Sequence, residues 1–489
     1  MSFLYLLIGI YTLGMLFIFV YSLAQGHLLL KFLKAKNLLI AVPRSNPKVW
    51  PKVTIQLPIF NELYVLERLI EAAAKINYPK ELLEIQLLDD STDQTSDLIE
   101  SKIKQFPEIN FQYIHRSERL GFKAGALKEG MERSSGEFIA IFDADFVPDP
   151  DFLIKTIPFF TSEKIGMVQT RWTHLNENYS LITRLQAFAL DAHFLIEQIG
   201  RNSQHAFINF NGTGGIWRKT CIIDAGNWHD DTLTEDLDLS YRAQRMGWEF
   251  LYRPEIESPA ELPPIMSAVK SQQFRWTKGG AECASKHAKK VLEENLPIST
   301  KFHAMAHLFN SSIFIAVLLV SLSSIGVWWA WWKGLIPIEL FRISGFFLFG
   351  FVIIAAVYMI SYFYNKRGFW KNLFQAFYML PLFLSISMGL ALHNAQAVFE
   401  GFSGKRSPFI RTPKFNLESG KSPLSTNLYR NSRIPVTTWF EGILALVFAT
   451  MVFLSFRENN FILLPFHLML AIGYATVFLS SFKSYGFGR

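Results

Sequence analysis

The stretch Phe138-Ile-Ala-Ile-Phe-Asp143-Ala-Asp145-Phe146 decides how this chain is read. Five apolar residues run without a break and stop at two carboxylates spaced i, i+2. An apolar run of this length reads as a buried strand. Open α/β sheets bind ligands beyond the C-terminal ends of their strands, and two Asp side chains at that position can hold a divalent cation through oxygen. Taken alone the triplet is ambiguous, because Asp is also a common turn and capping residue.

The composition is that of a membrane protein. The chain has 489 residues, enough for roughly two to four domains. Half of the residues (50%) are hydrophobic, 46 are Phe, and only 18% are charged, below the usual quarter or so of soluble domains. The formal charge of +7 fits cytoplasmic loop charge better than a nucleic-acid footprint, so no nucleic-acid partner is expected. Cys221 and Cys283 have no metal-type spacing, and neither a disulfide framework nor a zinc site is implied.

Residues 3–30 contain no Asp, Glu, Lys or Arg, and Lys31, Lys34, Lys36 and Arg44 follow. The run lacks a basic leader and is too long for a signal-peptide core. Residues 1–33 are therefore expected to span a bilayer, N-terminus outside and basic flank in the cytoplasm. The C-terminal region 301–489 is apolar again at 305–332, 342–364, 374–398, 437–456 and 461–482. Trp328, Trp329, Trp331 and Trp332 close the first of these as an interfacial belt. Three simple crossings would leave Lys405, Arg406, Arg411, Lys414, Lys421, Arg430 and Arg433 outside, against the positive-inside rule. The weakest segment, 374–398, contains Pro381, Ser385, Ser387, His393 and Asn394. It is expected to be re-entrant, interfacial or a hairpin rather than one simple span. The sequence thus describes a multi-pass integral membrane protein with residues 34–300 in the cytoplasm.

Residues 50–300 have ordinary polarity. Val53–Leu57 reads as a short strand closed by Pro58, and Asn61–Ala74 has helical spacing. Ile85–Leu88 is a second strand, ending in Asp89-Asp90-Ser91-Thr92-Asp93. Asp97–Lys104 is helical, Phe111–Ile114 strand-like and Lys123–Arg133 helical. This alternation argues for an α/β domain with a mostly parallel, Rossmann-like sheet. Polar groups sit just past three strands: Asn61 and Glu62, Asp89 and Asp90, Asp143 and Asp145. Their convergence on one sheet edge is what a nucleotide site needs. Leu181, Leu185, Phe188, Ala192, Leu195 and Ile199 recur at helical spacing, an amphipathic helix that packs on the sheet or lies on the membrane surface.

Two further motifs carry a resemblance. They are Asp231-Thr-Leu-Thr234-Glu235-Asp236-Leu-Asp-Leu-Ser240 and Gln272-Gln273-Phe-Arg275-Trp276. With Asp89/Asp90 and Asp143-Ala-Asp145 they form a set similar to the D, DxD, TED, Q(Q/R)xRW signature of processive family 2 glycosyltransferases, the relatives of cellulose, hyaluronan and chitin synthases. Gly121–Leu127, Phe210–Gly215 and Ser271–Gly279 most resemble the plant cellulose synthase-like A and C proteins, which make mannan or glucomannan and xyloglucan backbones.

The resemblance implies a GT-A fold and an inverting hexosyl transfer from a nucleotide sugar (GDP-mannose, GDP-glucose or UDP-glucose) to a polysaccharide acceptor. Pro58, Asn61, Glu62, Asp89 and Asp90 would then hold base and ribose. Lys123 and Arg275 would grip the diphosphate with Asp143. Asp143 and Asp145 would hold Mg2+ or Mn2+ bridging its oxygens. Asp236, with Thr234 and Glu235, looks like the general base; the bland alternative is a cap-like helix start. Phe210, Asn211, Gly212 and Thr213 look like an acceptor-side loop, joined by Gln272, Gln273 and Trp276, whose indole offers an apolar face to a pyranose. The helix carrying Lys270, Lys278, Lys286, Lys289 and Lys290 also suits a membrane surface. Finally, Phe409-Ile-Arg-Thr412-Pro-Lys414, within 400–435, resembles the FxVTxK gating loop of cellulose synthases with Arg411 in place of Val. Two other functions fit the same pattern: a non-processive transferase with a membrane-lipid acceptor, and a receptor that senses nucleotide sugars without turnover.

Overall fold

The computed structural model describes residues 2–35, 47–336, 345–365, 369–407, 409–417 and 434–486. Seven strands form one sheet: β1 (Val53–Ile59), β2 (Leu83–Asp89), β3 (Phe111–His115), β4 (Phe138–Ile141), β5 (Ile165–His174), β6 (Gly215–Arg218) and β7 (Glu249–Ala260). Their spatial order is β3-β2-β1-β4-β6-β5-β7. All neighbours are parallel except β6, which runs antiparallel to both β4 and β5. The mostly parallel α/β sheet expected from the sequence is present.

β4 lies in the middle of this sheet, which is why its sequence is apolar on both faces. Phe138, Ala140 and Phe142 pack into the core shared with Val53, Ile55 and Leu57. Ile139 and Ile141 point into the opposite core, with Leu127, Met131 and Trp217. Each of the Phe and Ile side chains contributes about 1.5–3 kcal/mol on burial. That second core also takes in Leu29 and Phe32 of α1 (Ser2–Ala35), so the last turns of the N-terminal apolar helix pack on the sheet domain.

Two local expectations are corrected. β1 does not stop at Leu57 but runs through Pro58 to Ile59. The β1–β4 ladder ends at Gln56 and Ile141, so the missing proline N–H leaves no ladder bond unmade on that side. The helix after it begins only at Leu66, as α2 (Leu66–Ala74), because Asn61 turns the chain with a φ of 54°.

The remaining helices around the sheet are α3 (Thr95–Ile103), α4 (Phe122–Arg133), α5 (Phe152–Thr156), α6 (Leu181–Asp191), α7 (Gln198–Asn202), α8 (Lys219–Asp224) and α9 (Glu235–Arg245). A π-helix, Ala192–Glu197, joins α6 to α7. The amphipathic segment divides its apolar side: Leu185 and Phe188 pack on Tyr362, Ala376 and Met379, whereas Phe194, Ile196 and Ile199 pack under the sheet.

The chain continues as α10 (Met266–Glu293), α11 (Ile298–Leu308), α12 (Ile313–Trp332), α13 (Leu348–Asn365), α14 (Phe369–Gly389), α15 (Ala391–Phe402), α16 (Val436–Arg457) and α17 (Leu464–Gly486). Among the described residues, five helices are long and apolar enough to cross a membrane: Leu4–Ala35, Asn310–Trp332, Asn372–Gly389, Val436–Arg457 and Leu464–Ser484. The apolar stretch 305–332 is not one helix; it breaks at Asn310–Ser312. The stretch 374–398 breaks at Leu390 into α14 and α15. Residues 342–344 of another expected span lie outside the described residues, as do Lys36, Arg44, Lys421, Arg430 and Arg433.

Candidate active site

Strand ends build the site. Past β1 come Phe60 and Glu62, past β2 Asp90, and past β4 Asp143 and Asp145. These line one cavity of about 160 Å³ together with the start of α4, the start of α9, and Gln272, Arg275 and Trp276 of α10. Two glycines let these elements meet. Gly212 has a φ of 79°, and a Cβ there would stand 3.0 Å from Asp236 Oδ2. Gly279 in α10 faces Thr234, where a Cβ would come within 2.5 Å of the threonine Cγ2.

At the centre a lysine bridges the acidic groups. Lys123 Nζ stands 2.6 Å from Asp143 Oδ1 and 3.8 Å from Glu235 Oε1, and donates to the Gly212 carbonyl at 2.9 Å. Burial opposes its charge, but Asp143, Glu235 and Asp236 outweigh that and hold its pKa above the usual lysine value. Asp236 is pushed up to about 7, first by burial and then by the neighbouring Glu235 charge. Glu235 is itself raised, chiefly by burial. A carboxyl poised near neutrality is what a general base needs. The motif does open α9, with Glu235, Asp236 and Asp238 in its first turn, but Thr234 makes no side-chain cap bond and Glu235 and Asp238 are buried rather than solvated. Asp143 and Asp145 together offer an all-oxygen donor pair on one wall, a set that suits a hard divalent cation sharing ligands with a phosphate chain.

The segment 409–417 lies across this cavity. Arg411 holds Glu62 with two bonds, Nε–Oε1 at 2.8 Å and Nη2–Oε2 at 2.5 Å. Lys414 Nζ is 2.5 Å from Asp145 Oδ2. Thr412 Oγ1 accepts from Arg275 at 2.8 Å. Phe409 lies under the Arg275 guanidinium at 4.6 Å and stacks on Phe122. The backbone N–H groups of Phe415 and Leu417 both donate to Glu261, at 2.9 and 3.2 Å.

Of the residues expected at the site, Pro58, Glu62, Asp90, Lys123, Asp143, Asp145, Asn211, Gly212, Thr234, Glu235, Asp236, Gln272, Arg275, Trp276, Phe409, Thr412 and Lys414 line the cavity. Asn61, Asp89, Gln273, Phe210 and Thr213 stand off its wall. Asp89 is fully buried and accepts from Ser91, Ser96, Tyr113 and His115, so it shapes the turn after β2. Thr213 Oγ1 accepts from the Asp143 N–H and so fixes the carboxylate turn from behind. Asp90 lines the cavity but is gripped by Arg116 at 2.6 Å through both oxygens.

Sequence reasoning passed over Arg119 and Glu261. Arg119 stacks over Phe60 at 3.4 Å and its pKa falls to about 10, mainly through burial. Glu261 follows the last residue of β7, and that strand end was its signal. A second acidic group, His229, Asp231 and Asp238, has the reach of a metal site, but Lys286 lies 2.7 and 2.8 Å from its two carboxylates and Arg242 and His287 bind Asp238. None of these three residues lines the cavity.

Residues 51–279 match the family model described as "Glycosyltransferase like family 2". The chain is 43% identical over 281 residues to the "Probable glucomannan 4-beta-mannosyltransferase 4" of Oryza sativa subsp. japonica, covering 56% of this chain and 51% of the relative. It is 41% identical over 278 residues to the "Glucomannan 4-beta-mannosyltransferase 7" of Arabidopsis thaliana, covering 55% and 50%. The chain thus spans about half the length of the curated relatives it matches. Among solved structures it is similar to the mannosyltransferase PcManGT from Pyrobaculum calidifontis in complex with GDP-Man and Mn2+, with a TM-score of 0.54, 16% identity, and coverage of 82% of this chain and 100% of that one. At that identity the likeness is one of fold.

Proposed function

With a family 2 glycosyltransferase domain over residues 51–279 as the premise, we propose that the chain transfers a hexose, with inversion, from a nucleotide sugar to a growing β-linked polysaccharide of the mannan or glucan type. The observation that carries this reading is the placement of Asp236, its pKa about 7, across one small cavity from Lys123, Arg275, Asp143 and Asp145.

The geometry supports a single displacement. Asp236 accepts the proton of an acceptor hydroxyl as its oxygen bonds to C1 of the sugar. The C1–O bond to the diphosphate breaks in the same step, and the departing electron pair stays on the nucleoside diphosphate. Lys123 and Arg275 place positive charge where that negative charge grows. Asp143 and Asp145 would hold Mg2+ or Mn2+, which when bound neutralises diphosphate oxygens as a Lewis acid. Glu62, Asp90 and Arg119 line the same cavity, and in this reading they face the nucleoside.

GDP-mannose is the donor we favour, because the relatives are named as glucomannan mannosyltransferases and the fold neighbour holds GDP-Man. The basic stretch from Lys405 to Lys414 supports a cytoplasmic active site, with the apolar helices as the exit route of the polymer.

The test is synthesis in membrane vesicles with each labelled nucleotide sugar and either metal, followed by product sizing and glycosidase digestion. A long β-mannanase-sensitive product from GDP-mannose is expected. One sugar per lipid would replace this reading with the lipid-acceptor one. Donor binding without turnover, unchanged in Asp236→Asn, would make the protein a receptor.

A further inference from the structure

A cluster that does not line the cavity holds an element that does. α9 opens with Glu235 and Asp236, and two residues further on Asp238 is fully buried. Its Oδ1 stands 2.8 Å from both Lys286 Nζ and His287 Nε2 of α10, and its Oδ2 accepts from Arg242 Nε at 2.8 Å. Burial opposes the Asp238 charge, but His287, Arg242 and Lys286 hold its pKa well below the usual carboxylate range.

The Lys286 ammonium has three N–H donors. It stands 2.7 Å from Asp231 Oδ1, 2.8 Å from Asp238 Oδ1 and 3.5 Å from His229 Nδ1. His229 Nε2 faces the Gly226 carbonyl at 3.1 Å, and a carbonyl only accepts. Nε2 therefore carries the ring proton, and Nδ1 is the acceptor that the ammonium needs. One side chain of α10 thus ties the loop before α9 to the first turn of α9. Further contacts follow along the pair. The Leu233 N–H donates to Glu282 Oε2 at 2.7 Å, Tyr241 packs with Cys283, Ala284 and Val291, and Arg245 Nη2 lies 2.6 Å from Oε1 of Glu294, just past the end of α10. The partners advance together in both segments, so the two helices run side by side in the same direction. α10 carries Arg275 on the cavity itself.

Resting on the glycosyl-transfer reading, we infer that Glu282, Lys286 and His287 are positioning residues that strap the start of α9 to the helix bearing Arg275, and so set Asp236 at a fixed spacing from the cation that meets the leaving diphosphate. One helix then places both sides of the displacement, Arg275 directly and Asp236 through α9. Such a displacement works at one spacing only, because an error of about 1 Å in a reacting group costs up to a hundredfold or so in rate.

The experiment uses the full chain with GDP-mannose and Mn2+. Lys286→Ala and Glu282→Ala should each lower kcat at least about tenfold. The affinity for GDP, read by calorimetry, should stay in place, because Arg275 and Lys123 are untouched. A loosened α9 admits water to Asp236, whose pKa of about 7 comes first from burial, so the acid limb of kcat/KM should move to lower pH. Loss of folded protein alone lowers the rate and leaves that midpoint where it was. Glu282→Gln keeps an acceptor for the Leu233 N–H and should match wild type. The Lys286 and Asp231 side chains are 22% and 53% exposed, so a small amine can enter the gap in Lys286→Ala. Methylammonium should restore rate and midpoint there, and tetramethylammonium, which has no N–H, should not. A midpoint still near 7 in both alanine variants, a GDP affinity that falls as far as kcat, or no difference between the two amines would overturn the inference. If Lys286→Ala does not fold, the midpoint of Glu282→Ala decides. A wild-type chain that transfers no sugar from any donor sinks the glycosyltransferase reading itself; an active wild type whose variants keep its midpoint sinks only this inference.

Discussion

At the scale of single residues, the chemistry rests on what surrounds Asp236. Burial and the Glu235 charge push its pKa to about 7, while Lys123 pulls it down. In the proposed reaction the carboxylate is the working base, so activity is expected above that value and is lost as pH falls through it. The acid limb of kcat/KM against pH should therefore have its midpoint near 7 rather than near the ordinary Asp value of about 4. Glu235→Gln removes a neighbouring negative charge, so the same limb should move to lower pH. A midpoint unmoved by Glu235→Gln would show that the two carboxyls do not share a field. Asp236→Asn should lose at least a thousandfold or so in turnover and keep donor binding by calorimetry, because it removes the proton acceptor and leaves the cationic wall intact.

At the scale of elements, the segment 409–417 and the sheet edge form one unit. Glu62 binds Arg411 and Glu261 binds two backbone N–H groups, so the segment is held by buried acceptors on two strand ends. Glu62→Ala leaves Arg411 half-buried without its carboxylate. Trypsin cleavage at Lys414 in membranes should then speed up at least about tenfold, since both charged hydrogen bonds from Arg411 are lost. An unchanged cleavage rate would mean that the segment is seated by its apolar contacts alone. None of this pairing was legible beforehand: Arg411 stood out only as a departure from a motif, and its partner lies 349 residues away in sequence. The strands show the same limit. β1 to β4 could be read because each is a short apolar run followed by a polar turn. β6 has four residues, too few to show a period, and its antiparallel place between β4 and β5 depends on partners far along the chain. β7 contains Pro254 and Pro259, which argue against a strand unless it lies at a sheet edge, where β7 is found. The carboxylates past the strands were legible because their positions follow from the strands; those that only brace the turn, such as Asp89, carry the same letter and could not be told apart.

At the scale of the molecule, one helix connects the candidate site to the apolar bundle. α10 carries Gln272, Arg275 and Trp276 on the cavity and, within the same first turns, Lys270, which is 1% exposed. Lys270 Nζ lies 2.9 Å from both oxygens of Glu441 in α16 and donates to Thr438 at 3.2 Å. His393 of α15 donates from Nε2 to the Lys270 carbonyl at 2.9 Å. One residue thus ties three helices on which the position of Arg275 depends. Buried ion pairs stabilise little in net terms, because desolvation offsets attraction, but breaking one strands a charge at about 3–5 kcal/mol. Lys270→Met alone should therefore lower the melting temperature of the detergent-solubilised chain and depress transfer. Lys270→Met combined with Glu441→Leu should recover the melting temperature, since no charge is left unpaired. If the pair also sets the tilt of α10, the double variant will stay slow in transfer despite its regained stability; if it will melt and turn over like wild type, the pair is structural filling and α10 is aimed by its apolar contacts alone.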